Sequence, residues 1–358
     1  MKIYINGRFL TQRITGVQRY ALEMTKALDH LISDDKTLQK HEYIVIAPQN
    51  VLYDIELQNM SFVQRGVLKG HFWEQLELPV YSRDGFLMNF CNCAPLLKRN
   101  QTVTIHDAAV SAVPHAFSLA FRTWYKLMFM WLGKSLKQIL TVSEFSKKEL
   151  HKYYGIPLNK IHVTYNGIDH IKKIKTDESV IIREGLKDKN YILAVSSMNP
   201  SKNFSLILDV ARLMPDVNFI IAGGSNAKVF KSAGLDVPNN AKFIGYVSDE
   251  ELMALYRHAS VFVYPSLYEG FGIPPLEAMM CGCPVVVSDI EIFHEVYGNS
   301  VEYCDCKDVR LWRNVLTKLI ETNCCLENMY CKYGEQFSWQ KSVYILLKVI
   351  MNYRRCIM

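Results

Sequence analysis

Two glutamates, Glu269 and Glu277, stand with seven residues between them in YEGFGIPPLEAMMCGCPVVVSD, residues 268–289. Carboxylates at such a spacing can form an acid–base pair. Lys202 lies in NPSKN, where a loop meets a helical pattern, and is suited to an anionic diphosphate or simply to solvent. His106 closes the apolar run TVTIH; it can donate a hydrogen bond to a substrate hydroxyl, act in catalysis, or be tied to Asp107 or a backbone carbonyl. Gly16 precedes an amphipathic helix, and free backbone N–H groups at such a start suit an anion, although a plain β-to-α turn reads the same way.

These residues need elements to hold them. Val261 to Tyr264 is short and apolar enough for a buried strand. The loop that follows carries Glu269, Gly270, Phe271 and Gly272. Pro274 and Pro275 fit the first turn of a helix, Gly282 fits its end, and Val285 to Val287 reads as the next strand. Loop and helix start then line the carboxyl end of a parallel sheet, where ligands bind. Glu277 there either faces the ligand or merely favours the positive helix end.

The same alternation runs through the chain. Strands are expected at Lys2–Ile5, Tyr43–Ala47, Ser61–Gln64, Thr102–Ile105, Ile139–Val142 and Ile161–Thr164. A second series follows at Tyr191–Val195, Asn218–Ala222 (ending in Gly223–Gly224), Lys242–Ile244 and the central unit. Helices are expected from about Val17, over 116–138, after Ser143, from about Phe204, after the Ser248/Glu251 capping box, and over about 307–322 and 339–354. HFWEQLELP, 71–79, reads as a short helix packed by Phe72 and Trp73, with Glu74 available to a ligand. The 116–138 helix is apolar nearly all round, which favours a core helix over one lying on a membrane surface. NGIDH, 166–170, and the polar stretch after it look like an interdomain linker.

Composition bounds the rest. A chain of 358 residues implies two domains. A net charge of +6 with scattered lysines and no nucleic-acid module argues against nucleic acid and suits a small polyanion or an anionic membrane surface. No signal peptide is expected, and the best apolar run, 127–133, is far too short to span a bilayer. Three C-x-C pairs (Cys91/Cys93, Cys281/Cys283, Cys304/Cys306) place both thiols of each pair on one face of a strand. They are expected to be reduced, with no metal, in a cytoplasmic protein.

YEGFGIPPLEAMMCGCPVVVSD resembles the E-x7-E signature of retaining glycosyltransferases of family 4, which have the GT-B fold. SMNPSKN, FIGYVSDEELMALYRHASVFVYPS, TVTIHD, TVSEFSKKEL and NGID are similar to the family's other segments. NGRFLTQRITGVQRY and HFWEQLELP look like members that build O-antigen and capsular polysaccharide, often mannosyl- or rhamnosyltransferases. The resemblance covers nearly the whole chain.

It implies an α/β GT-B fold, two Rossmann-like domains facing across a cleft. These would be an acceptor-side domain over 1–170, with helix 340–358 crossing back to it, and a nucleotide-sugar domain over 171–339. Glu277 would bind ribose hydroxyls, Lys202 the diphosphate, and Glu269 the hydroxyls of the transferred sugar. Gly270, Phe271, Gly272 and Ile273 would offer N–H groups to phosphate and sugar. Gly245, Tyr246 and Val247 would lie near the base, Gly16 against the diphosphate, and His106 near the donor sugar. The donor implied is GDP-mannose, ahead of UDP- or dTDP-sugars. The acceptor would be a lipid-linked glycan at the inner membrane surface, with no metal or other cofactor. The chain departs from the family at Ser201 and Ser196, where arginines are usual; Arg13 or Arg19 could substitute. These losses leave a non-catalytic sugar-nucleotide or glycan-binding protein on the same fold as the alternative. A dehydrogenase is disfavoured, since neither half opens with G-x-G-x-x-G.

Overall fold

The computed structural model describes residues 1–187, 190–195, 199–223, 236–322 and 333–355, with side chains described through residue 350. Ser196 and Gly224 lie outside the described residues. Chain contacts divide the molecule into two units. One runs from Met1 to Gly167 and takes in the chain from Phe337 onward; the other is Ile168–Gln336.

The first unit holds a seven-stranded sheet of β1 (Lys2–Asn6), β2 (Glu42–Ala47), β3 (Ser61–Gln64), β4 (Phe86–Asn89), β5 (Gln101–Thr104), β6 (Ile139–Thr141) and β7 (Ile161–Val163). Its order is β3-β2-β1-β4-β5-β6-β7, and every pairing is parallel. The second unit holds β8 (Tyr191–Val195), β9 (Asn218–Ala222), β10 (Ala241–Gly245), β11 (Val261–Tyr264), β12 (Val285–Ser288) and β13 (Glu302–Cys304). Its order is β10-β9-β8-β11-β12-β13, again all parallel. Strand order reverses between β1 and β4 in one sheet and between β8 and β11 in the other. At such a switch point the connecting helices leave to opposite faces, and a crevice opens at the carboxyl ends.

β4 escaped the sequence reading although it completes the first switch point. All four of its residues are buried, so it lacks the alternation that marks a half-exposed strand. The final helix, Trp339–Arg355, packs on Gly16–Asp34 in the first unit. There Trp339 meets Tyr20 edge-on at 5.8 Å, and Ser342 donates to the Tyr165 carbonyl at 2.5 Å.

Several expectations change. The helix expected over 116–138 is Leu119–Ser135, capped by Ser118. Only one side of it is buried: Met128, Phe129 and Leu132 join a core with Val103, Ile139 and Leu150. Trp124, Leu127 and Trp131 face solvent, so it is not a helix buried all round. The 71–79 segment lies in a longer helical run, Gly70–Phe72, a π turn Trp73–Glu77, and Leu78–Tyr81. Trp73 packs it, but Phe72 is 72% exposed. The chain passes from one unit to the other between Gly167 and Ile168, inside the expected interdomain linker, and Asn166, Ile168, His170 and Ile171 there are all buried. The C-x-C pairs do not lie along strands. Cys91 and Cys93 flank Asn92, which has φ +57°, beyond β4; Cys281 and Cys283 sit between a helix and β12; of the last pair only Cys304 is in a strand. All six are free thiols. Among the described residues no helix is long and apolar enough to cross a membrane.

Candidate active site

In the second unit the chemistry gathers where β8 and β11 end. After β8, Asn199 caps a short 3-10 turn, Pro200–Lys202, by accepting from the Ser201 N–H. The turn ends at Asn203, whose φ is +54°. After β11 the loop is strapped to that turn, Leu267 N–H donating to the Ser201 carbonyl at 2.7 Å. Ser201 is thus a buried main-chain anchor, and its hydroxyl supplies none of the positive charge of the arginine usual there.

Lys202 Nζ and Glu269 Oε1 form an ion pair at 2.5 Å, and Lys202 also donates to the Tyr264 hydroxyl at 3.3 Å. Burial first, and then the Glu269 charge, push the Tyr264 phenol far up, so it stays protonated beside the carboxylate. The two side chains are neither sealed in nor free, at 19% and 12% exposure, so a ligand can compete for either partner.

The helix Ile273–Met280 begins at Gly272, whose φ is +97°. An added Cβ there would collide with the Tyr297 hydroxyl, which itself donates to the Gly272 carbonyl at 2.6 Å. Tyr297 therefore holds the turn in a backbone shape that favours glycine. Gly270, Phe271, Gly272 and Ile273 are all buried, and Pro274 and Pro275 occupy the first turn.

Glu277 is the fifth residue of this helix, just beyond its first turn. It is 8% exposed and held from two sides: His170 Nε2 is 3.3 Å from Oε1, and the Tyr256 hydroxyl donates to Oε2 at 3.1 Å. Burial, followed by the Glu277 charge, raises the Tyr256 phenol well above its ordinary range, so it remains a donor. The sequence reading missed both partners. NGIDH carried the signal for His170 but reads as a linker; Tyr256 sits in a helix whose capping box, Ser248 with Glu251, forms as expected. At the end of β10, Gly245 has φ +76°, Tyr246 is 61% exposed, and Val247 is buried.

The first unit brings a different set to its switch point. Gly16 is the first residue of the helix Gly16–Asp34, and a Cβ there would meet nothing within 4 Å. Arg13 is exposed in the loop just before it, and Arg19 lies 3.7 Å from Glu23. His106, two residues past β5, is buried. Its Nε2 is 2.8 Å from the Phe90 carbonyl, and its own N–H donates to Asn92 Oδ1. Burial lowers its pKa from 6.5 to about 4, so the ring is neutral at ordinary pH. With Nε2–H donating to Phe90, Nδ1 is left as an acceptor.

Glu74 is not open to a ligand as expected. It is 1% exposed, 3.2 Å from Arg8 Nε, and accepts from Asn6 Nδ2 at 2.7 Å. Burial alone would raise its carboxyl, but Arg8, His71 and Asn6 outweigh that and hold it low. His71, Glu74 and Cys93 offer ligand atoms within 4.8 Å of one another, the one such group among the described residues. The Arg8 guanidinium already supplies the positive charge beside Glu74, and burial raises the Cys93 thiol, so the donor set fits a metal poorly.

The chain thus carries two all-parallel sheets, and the switch point of the second gathers a lysine, two carboxylates and a helix start. Residues 177–337 match the model of the glycosyl transferases group 1, and residues 81–172 that of glycosyltransferase family 4. The chain is 30% identical over 326 residues to the O-antigen chain mannosyltransferase RfbU of Salmonella typhimurium, covering 85% of this chain and 87% of that one. It is 28% identical over 375 residues to O-antigen chain mannosyltransferase B of Escherichia coli, covering 95% and 97%. Among solved structures, sucrose-phosphate synthase of Thermosynechococcus elongatus superposes with TM-score 0.74 at 14% identity, covering 99% of this chain and 98% of that one. Anabaena HepE in complex with UDP and glucose superposes with TM-score 0.72 at 17% identity, covering 98% and 100%. The chain belongs to glycosyltransferase family 4; it is a glycosyltransferase with two Rossmann-like domains of the GT-B class.

Proposed function

We propose that this enzyme transfers mannose, with retention, from GDP-mannose to a lipid-linked oligosaccharide during surface-polysaccharide assembly, on the cytoplasmic side of the membrane. The observation that carries the reading is the group Lys202, Glu269 and Glu277 at one switch point, each already held by partners a donor can exploit. Mannose is favoured because the relatives spanning most of this chain are named O-antigen chain mannosyltransferases. UDP-sugars stand second, since HepE was solved with UDP and glucose.

In this reading the diphosphate takes Lys202 from Glu269, and the released carboxylate accepts from hydroxyls of the sugar. Backbone N–H groups of residues 270–273 meet phosphate and sugar at the helix start. Glu277, steadied by His170 and Tyr256, takes the ribose hydroxyls, while Tyr246 and Val247 lie by the base. Gly16 admits the diphosphate closely, Arg13 or Arg19 adds the charge that Ser201 lacks, and His106 reaches the sugar through Nδ1. The acceptor oxygen attacks the anomeric carbon on the face the diphosphate leaves; the C–O bond to phosphate breaks, and the leaving phosphate takes the acceptor's proton. Positive groups stabilise the departing charge, so no metal is needed.

Thermal-shift measurement across GDP-, UDP- and dTDP-sugars tests the donor, because a bound ligand stabilises the fold by mass action. GDP-mannose is expected to give the largest rise. Replacing Glu277 with Ala is expected to abolish transfer and the shift; full transfer by that variant overturns the assignment.

A further inference from the structure

The first unit exposes large apolar side chains on three segments that hydrogen bonds and ring contacts place side by side. Phe72 and Leu76 project from the helical run 70–81, at 72% and 60% exposure. Gln75, between them, grips the next segment: its amide donates to the Ala94 carbonyl, and its oxygen accepts from Leu96 N–H. That segment presents Leu97, 85% exposed. Trp131 then reaches across to donate its indole N–H to the Leu96 carbonyl at 3.0 Å, joining the helix Leu119–Ser135. The His71 and Trp124 rings, 6.3 Å apart, close the circuit. On that helix Trp124, Leu127 and Trp131 recur at i, i+3 and i+7, so they share one face, opposite buried Phe129.

The charge on these segments is one-sided. From Ala108 to Ser143 the chain has no aspartate or glutamate, and Lys134, seven residues after Leu127, lies on the apolar face of the helix. Lys69 and Arg99 are exposed on the neighbouring segments. The two nearby acids add little: Glu74 is buried against Arg8, and Glu77 accepts from the Val67 and Leu68 N–H groups. A contiguous exposed apolar patch on a folded protein marks an interaction site. Tryptophans with flanking lysine and arginine match the boundary of a lipid leaflet, where indoles sit among headgroups and basic groups meet anionic lipid.

We propose that the face bearing Phe72, Leu76, Leu97, Trp124, Leu127 and Trp131 seats on an anionic bilayer surface. It deepens the reading above, which gives the acceptor a lipid anchor, but it rests on that reading for nothing else. Such seating brings the carboxyl ends of β1 and β4, from which the run 70–81 and the 94–97 segment are hung, to the membrane.

Co-sedimentation with phosphatidylcholine vesicles, with and without about one-third phosphatidylglycerol, tests it. The protein is expected to partition onto the mixed vesicles, less so at high salt, and little onto neutral ones. The double variant Phe72→Glu, Leu127→Glu is expected to lose at least about tenfold in partitioning. Its thermal shift with GDP-mannose should be unchanged, which separates failure of this proposal from failure of the donor assignment. If the charges lower the melting temperature, Phe72→Ser with Leu127→Ser keeps the test decisive. Equal partitioning by wild type and variant overturns the proposal. So does a wild-type dimer, seen as a concentration-dependent mass, that the variant abolishes, because a second copy would then be the occupant.

Discussion

The two switch points are built to opposite rules. At the end of β8 and β11, cation and anion partner each other at the edge of solvent: Lys202 holds Glu269, and both keep some exposure. Near the end of β1 the ion pair is sealed, with Glu74 at 1% and Arg8 at 6% exposure, and His106, two residues past β5, is buried and neutral. A pair that keeps some exposure costs less to exchange than a sealed one, because water and a ligand can replace each partner in turn. A sealed pair cannot be opened without stranding a charge in a poor dielectric. The first arrangement suits a site whose partners change during turnover. The second suits a frame that keeps its shape while other groups react.

Substitution tells the two rules apart. Glu74→Ala leaves Arg8 buried and uncompensated, so it is expected to cost about 3–5 kcal/mol of stability by urea unfolding, with donor affinity of the folded protein nearly unchanged. A loss of donor affinity without a loss of stability would assign the sealed pair to the ligand and erase the distinction. Lys202→Ala should do the reverse. It is expected to lower kcat/KM by about 100- to 1000-fold in initial-rate assays, with a melting temperature close to wild type.

His106 carries the same contrast into pH. Burial keeps its folded pKa near 4 against an ordinary 6.5, so the unfolded chain binds the proton first as pH falls. The contribution is intact above pH 6.5 and is lost progressively down to about 4. Between pH 6.5 and 5, wild type should lose about 2 kcal/mol more than His106→Asn in denaturant titrations, since each pH unit in that window is worth about 1.4 kcal/mol. Parallel curves would mean that the ring is not neutral in the fold. The smallest effect is expected at Gly16. Gly16→Ala has room for its Cβ, so melting should not change, yet kcat/KM should fall about tenfold if a diphosphate needs that space. Unchanged kinetics would remove Gly16 from the site.

Much of the fold is legible in the sequence because parallel strands and amphipathic helices write different periods. The strands from Tyr191 through Val287 fall where apolar runs and glycine or proline stops put them. The E-x7-E segment shows its strand, loop and helix because proline and glycine mark each boundary. What stayed hidden depends on contacts between distant residues. β4 is four residues long and buried throughout, so no alternation betrays it. His170 meets Glu277 across 107 positions and Glu74 meets Asn6 across 68, and neither pairing leaves a spacing to read. The helix Leu119–Ser135 misled for a related reason. Apolar residues all round it imply burial only if every face is covered, and the face with Trp124, Leu127 and Trp131 stays exposed.

The main-chain bond from Leu267 N–H to the Ser201 carbonyl has a consequence for how such an enzyme changes over evolution. It ties the segment carrying Lys202 to the loop carrying Glu269. A mutation that reshapes the loop to admit a different sugar therefore drags the lysine with it. On the roles proposed above, sugar preference and leaving-group handling are inherited together, and laboratory attempts to swap donors should graft residues 199–203 and 265–273 as one block.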